Sequence, residues 1–114
     1  MENKYYDKLL ILIKQAKPRL KPHHLTFKNV FGAVAGYVDD CIFISCGTFG
    51  VALKLPPEIL DKVFNEKDVK YLKYFSKGHI KKEYVVLPKR IIDDIPQFKK
   101  LIDKSIEYAL RCGG

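Results

Sequence analysis

Apolar side chains recur along this 114-residue chain in two rhythms, a helical one near either end and a two-residue one between. Over residues 3–17, Tyr5, Tyr6, Leu9, Leu10, Leu12, Ile13 and Ala16 share one side of a helical projection. Asp7, Lys8, Lys14 and Gln15 take the other side, with Ile11 the exception. Pro18 ends this helix, and Pro22 keeps Lys17–His24 extended or looped.

From Phe27 the period shortens. Phe27–Phe31, Ala33–Val38, Cys41–Cys46 and Phe49–Leu55 are β-branched or aromatic runs, separated by Gly32, Asp39-Asp40 and Gly47-Thr48. That spacing predicts an antiparallel meander with tight turns. Strict alternation within Cys41–Cys46 sends the two cysteines to opposite faces and leaves both faces largely apolar. Each face then calls for a covering helix or a partner.

Pro56-Pro57-Glu58 opens a short helix through about Phe64, with proline and an acid suited to the first turn. Lys70–Phe75 and Glu83–Leu87 read as two further strands joined across Ser76–Lys82, although Val69–Phe75 also fits a helix. Pro88 closes the last strand. Asp94-Ile95-Pro96-Gln97 forms a capping box, and a helix with an apolar side from Ile95 to Leu110 runs to about Arg111. The fold class is therefore α+β: a sheet of five to six strands flanked by N- and C-terminal helices, in one domain over 1–114.

Composition adds charge to this picture. With 21 basic and 13 acidic residues the net charge is +8, and residues 27–56 contribute none of it. The excess sits on the flanking pieces, which admits a nucleic-acid or acidic protein partner. Two basic segments stand out, Lys14, Lys17, Arg19 and Lys21 with His23 and His24, and Lys77, His79, Lys81 and Lys82. Should they adjoin, they suit phosphate contacts, with Tyr71, Tyr74 and Phe75 available for stacking on bases. No apolar run approaches membrane-spanning length and no secretory leader pattern is present, so a cytoplasmic protein without membrane contact is expected.

Candidate chemistry is sparse. His23, His24, Cys41 and Cys46 are metal-ligand types, but ligands must converge and these are expected to diverge, so neither metal nor cofactor is expected. Cys46 beside Gly47, with His79 or His24 as base, is the arrangement a thiol-dependent enzyme would use. A cysteine inside an apolar strand more commonly packs as a small hydrophobe. The wide apolar stripe of helix 3–17 and the two-sided sheet are compatible with a homodimer as well as a monomer.

The order helix, meander, short helix, hairpin, helix resembles the N-terminal domain of the TfoX/Sxy family of competence regulators. The likeness is carried by Val30-Phe31-Gly32, Gly36-Tyr37-Val38-Asp39-Asp40, Phe43, Val51-Ala52-Leu53-Lys54-Leu55 and Lys82-Glu83-Tyr84-Val85-Val86-Leu87-Pro88. It spans roughly residues 25–112. Asp39-Asp40 departs from the Asp-Gly of this family's turn. The resemblance implies structural roles for Phe31, Gly32, Gly36, Tyr37, Asp39, Lys54, Tyr84 and Pro88, and it transfers no catalytic residue. Competence-active members carry a further C-terminal domain with no counterpart in these 114 residues. The expectation is a non-enzymatic, regulatory interaction module with an unidentified protein partner. Nucleic-acid binding through segments 14–24 and 76–82 is the alternative, and a Cys46 enzyme the second.

Overall fold

The computed structural model describes residues 4–18, 23–30, 32–66, 68–72 and 81–112, with Lys81, Lys82 and Cys112 described by their backbone alone. The expected basic residues Arg19, Lys21, Lys77 and His79, the aromatics Tyr74 and Phe75, and the motif residue Phe31 lie outside the described residues.

Helix α1 (Lys4–Ala16) buries Leu9, Leu12, Ile13 and Ala16, while Ile11 points outward at 56% exposure. It ends where Lys17 turns left-handed (φ 49°) and donates its N–H to the Ile13 carbonyl, one residue before Pro18. Strands β1 (Leu25–Val30), β2 (Ala33–Val38), β3 (Cys41–Gly47) and β4 (Gly50–Lys54) form the expected meander. Helix α2 (Pro57–Val63) follows, then β5 (Lys70–Leu72) and β6 (Lys81–Leu87). Residues 70–72 are thus strand, not helix. The six strands run β1-β2-β3-β4-β6-β5, with each neighbouring pair antiparallel. β5 occupies the outer edge, and β6 returns between it and β4.

Two short features sharpen the C-terminal half. Pro88 ends β6 and, in extended conformation, also caps an unexpected one-turn helix α3 (Lys89–Asp93), whose Ile91 N–H bonds the Pro88 carbonyl. Helix α4 (Ile95–Cys112) then starts at Asp94, whose Oδ1 accepts the Gln97 N–H at 3.4 Å.

Cross-strand partners share a face, as do residues i and i+2 along a regular strand. Following the registers, Val34, Cys46, Val51 and Leu87 form one row and Phe27, Gly36, Ile44, Leu53 and Val85 the next, all on one face. The main core cluster is built from this face together with residues of all four helices, Leu9, Leu60, Ile91 and Ile102 among them.

On β3 the alternation breaks. Gly36 pairs with Ile44 but Tyr37 pairs with Ile42, so Phe43 is an extra residue without a partner across β2. An extra residue shifts everything beyond it by one face. Cys41, paired with Val38, and Cys46, paired with Val34, consequently both face the helices. The expected divergence of the two cysteines is corrected here, and so is the alternating pattern it came from. Phe43 itself is fully buried in the main cluster.

The other face is made differently. One row across it reads Lys28, Ala35, Ser45, Ala52, Val86 and Lys70, with the three central small residues fully buried. The large apolar side chains are concentrated beneath the helices. The two faces thus divide into a large-residue face, which the helices cover, and a small-residue face.

Candidate functional site: a basic groove along α4

The β2–β3 hairpin closes with Asp39 and Asp40, both left-handed (φ 48° and 66°), between the paired residues Val38 and Cys41. This is the two-residue turn that ordinarily favours glycine at its second position. Asp39 is used as well as tolerated. Its Oδ1 accepts the His24 N–H at 2.9 Å and its Oδ2 accepts from His23 Nδ1 at 2.5 Å. Its own N–H returns to the His24 carbonyl at 2.9 Å. These bonds, the His24 N–H first and the His23 ring second, hold the Asp39 carboxyl below its ordinary value. The turn thereby tethers the segment that enters β1.

His23 is half-buried, and it forms a wall of a groove of about 550 Å³ along α4. Lys99, Lys100, Asp103, Lys104, Glu107 and the apolar Ile106 and Leu110 supply the rest of the described lining. Helical periodicity explains the set, since residues three and four apart share a side. Lys99 donates to the Lys17 carbonyl at 2.8 Å and lies 3.4 Å from Asp103. Lys104 lies 3.4 Å from Glu107. Lys100 has no carboxylate partner among the described residues.

The Lys99 bond joins residues 82 apart in sequence. It sets the end of α1, with exposed Lys14 and Lys17, against the first turns of α4. Lys17 thus adjoins Lys99, which lines the groove with Lys100 and Lys104; Asp103 and Glu107 are the acids among the groove residues, and Lys14 is exposed in the last turn of α1. Of the expected contact residues, Lys14 and Lys17 are described here, and Lys17 lies beside α4 lysines that no local pattern places next to it. Their polar arc reads as a solvated helix face until the contact with α1 is known. For the second expected segment, Lys81 and Lys82 occupy the start of β6.

Other singled-out residues have structural surroundings. Cys46 is 1% exposed, and burial pushes its thiol up, against a smaller lowering by Lys8. It sits at the Val34 end of β2, whereas His24 adjoins the Val38 end. A protonated, enclosed thiol is a poor nucleophile. Among the described residues no group of three His, Cys, Asp or Glu side chains converges as metal ligands would. Tyr71 is 51% exposed on edge strand β5 and packs against Phe64 at 4.3 Å between centroids.

The motif residues divide by task. Gly32 has φ 80°, which only the turn requires, since a Cβ there would meet nothing within 4 Å. Gly36 is the opposite case: a Cβ would come 2.6 Å from Ile44 Cγ2. Lys28 covers the Tyr37 ring at 5.0 Å. Lys54 pairs with Glu83 at 3.5 Å and lies over the Tyr108 ring at 5.9 Å, joining β4 to β6 and α4. Tyr84 is half-buried opposite Lys54. No protein-family model, curated protein or solved structure matches this chain.

Proposed function

We propose that this chain is a non-enzymatic interaction module of the kind found at the N-terminus of TfoX-type regulators, and that it engages nucleic-acid phosphates through the basic surface of α1 and α4. The observation that carries the reading is the Lys99–Lys17 bond, which turns two separate runs of lysine into one surface. The order of elements supports the likeness, because helix, meander, short helix, strand pair and long helix follow one another as in that domain. The non-enzymatic part is supported by the enclosure of Cys46, the one thiol singled out as a nucleophile. A surface of flexible ammonium groups without base-reading side chains suits sequence-independent backbone contact.

Titration with single- and double-stranded oligonucleotides across a salt series tests this. The logarithm of the binding constant should fall linearly with the logarithm of salt concentration. Replacing Lys14, Lys17 and Lys100 by Gln should flatten that slope by about 2 to 3, close to one per lost contact. No binding at low salt, or a slope indifferent to the three substitutions, overturns the proposal. Retention of an acidic protein in place of nucleic acid likewise overturns the partner class.

A further inference from the structure

The groove beside α4 differs from the open lysine surface around it. It is a shallow concavity whose volume of about 550 Å³ lies within the range of small-ligand sites, and its lining falls into two parts. Lys100 and Lys104 stand one helical turn apart, close enough for both ammonium groups to meet a single anion. Lys99 is committed to the Lys17 carbonyl and Asp103, so it acts as a fixed wall. Ile106 and Leu110 give the same cavity an apolar part. His23 supplies the remaining polar wall, and Asp39 already occupies its Nδ1, which leaves Nε2 as the ring atom available to a ligand.

We propose that this groove is a binding site for a small organic phosphate, a phosphomonoester with a compact apolar or aromatic body. Lys100, Lys104 and His23 surround the phosphate, and Ile106 and Leu110 pack against the body. The site rests on the anion-binding reading above and adds a bounded ligand to it.

The chemistry follows from the partners. A phosphate oxygen is a stronger acceptor for an ammonium than the exposed Glu107 carboxylate 3.4 Å from Lys104, and among the described residues Lys100 has no such competitor to displace. With Asp39 as acceptor at Nδ1, a protonated imidazole presents Nε2–H to the groove as a third donor. The charged groups facing His23 among the described residues are Asp39 from the hairpin turn and Lys99, Lys100, Asp103, Lys104 and Glu107 from α4. Three ammonium groups against two carboxylates on α4 make the groove selective for an anion over a neutral body alone.

Calorimetric and amide-shift titrations of the full chain at low salt, with phenyl phosphate, inorganic phosphate and phenol, test the site at pH 6.5 and 8. Phenyl phosphate should bind tighter than either of its parts, with shifts along residues 99–110 and at Asp39. Lys100→Gln should weaken it about tenfold, the scale of one charge-assisted bond. His23→Asn should weaken it more at pH 6.5 than at pH 8; the ligand's own ionisation is common to both proteins and cancels in the ratio. Both positions are away from the core, and a cooperative thermal unfolding transition confirms that each variant is folded. Equal affinity for phenyl phosphate and inorganic phosphate, or wild-type affinity in Lys100→Gln, overturns the site. A pH-independent ratio for His23→Asn overturns the role of His23. Oligonucleotide binding without phenyl phosphate binding sinks this site alone, whereas loss of both sinks the broader proposal too.

Discussion

The Ser105 hydroxyl of α4 donates a 2.7 Å hydrogen bond to the carbonyl of Phe43, the residue that β3 carries in excess of β2. A bulge disrupts the ladder where it occurs, and a buried carbonyl there needs a substitute donor. Ser105 is that donor, fully buried on an otherwise apolar helix side. Helix and sheet are thus pinned at the point where strand alternation fails.

Ser105→Ala should therefore destabilise the protein by about 1–3 kcal/mol, the cost of leaving a buried acceptor unpaired. Chemical denaturation would show it as a lower midpoint at unchanged slope. A loss below about 0.5 kcal/mol would mean that the Phe43 carbonyl finds another partner.

Gly36 lies across from the same bulge. An added methyl would meet Ile44 Cγ2 at 2.6 Å, and that atom belongs to a buried β-branched side chain with little freedom to move. Gly36→Ala is expected to cost roughly 1–3 kcal/mol through overpacking. Gly32→Ala acts by another route, strain at positive φ without any clash. A Gly36→Ala protein as stable as wild type would show that the strands separate freely here.

Asp40 holds φ 66° at the position where this turn prefers glycine, and it has no bond comparable to those of Asp39. Asp40→Gly should raise stability by up to about 1 kcal/mol, the left-handed strain relieved less the added chain entropy of glycine. Thermal unfolding is the measurement, and a fall in midpoint would contradict this account of the turn.

Asp39 gives a pH signature. Its folded carboxyl titrates below the ordinary 3.8, so its contribution to stability is present above that value and is lost as pH falls through the depressed folded one. The stability difference between wild type and Asp39→Asn should be constant near neutrality and shrink below about pH 4. Asn keeps the turn accessible and an acceptor for His24, which isolates the charge. A difference that persists unchanged in acid would remove Asp39 from the linkage.

Much of the fold is legible from local pattern because its elements obey local rules. Pro18, Pro56-Pro57 and Asp94 mark helix ends by backbone chemistry, and the Asp39-Asp40 turn fixes a hairpin whatever surrounds it. Phe43 is where legibility stops. Nothing in Cys41-Ile42-Phe43-Ile44-Ser45-Cys46 announces an extra residue, because apolar side chains occupy both phases of the alternation. The bulge is specified by contacts with Gly36 and Ser105, each distant in sequence. The same limit hid the groove: Lys17 and Lys99 are separated by the whole sheet along the chain, and a lysine's neighbours are set by packing that its own segment does not encode. The His23–Asp39 pair is intermediate, since the hairpin brings β1's entry beside the turn, but only the side-chain bond shows that the two are used together.

The placement of β6 between β4 and β5 bears on how the sheet is completed as the chain is made. The first four strands can pair as each emerges, but the exposed edge of Gly50–Lys54 must wait for residues 81–87. Until then β5 has no strand to join, being bonded in the sheet to β6 alone. A nascent chain stopped near residue 80 would present an open, apolar strand edge in the middle of the future sheet, a template for a neighbouring chain. Docking of β6 onto β4 is therefore the step that closes that edge and at the same time gives β5 its place.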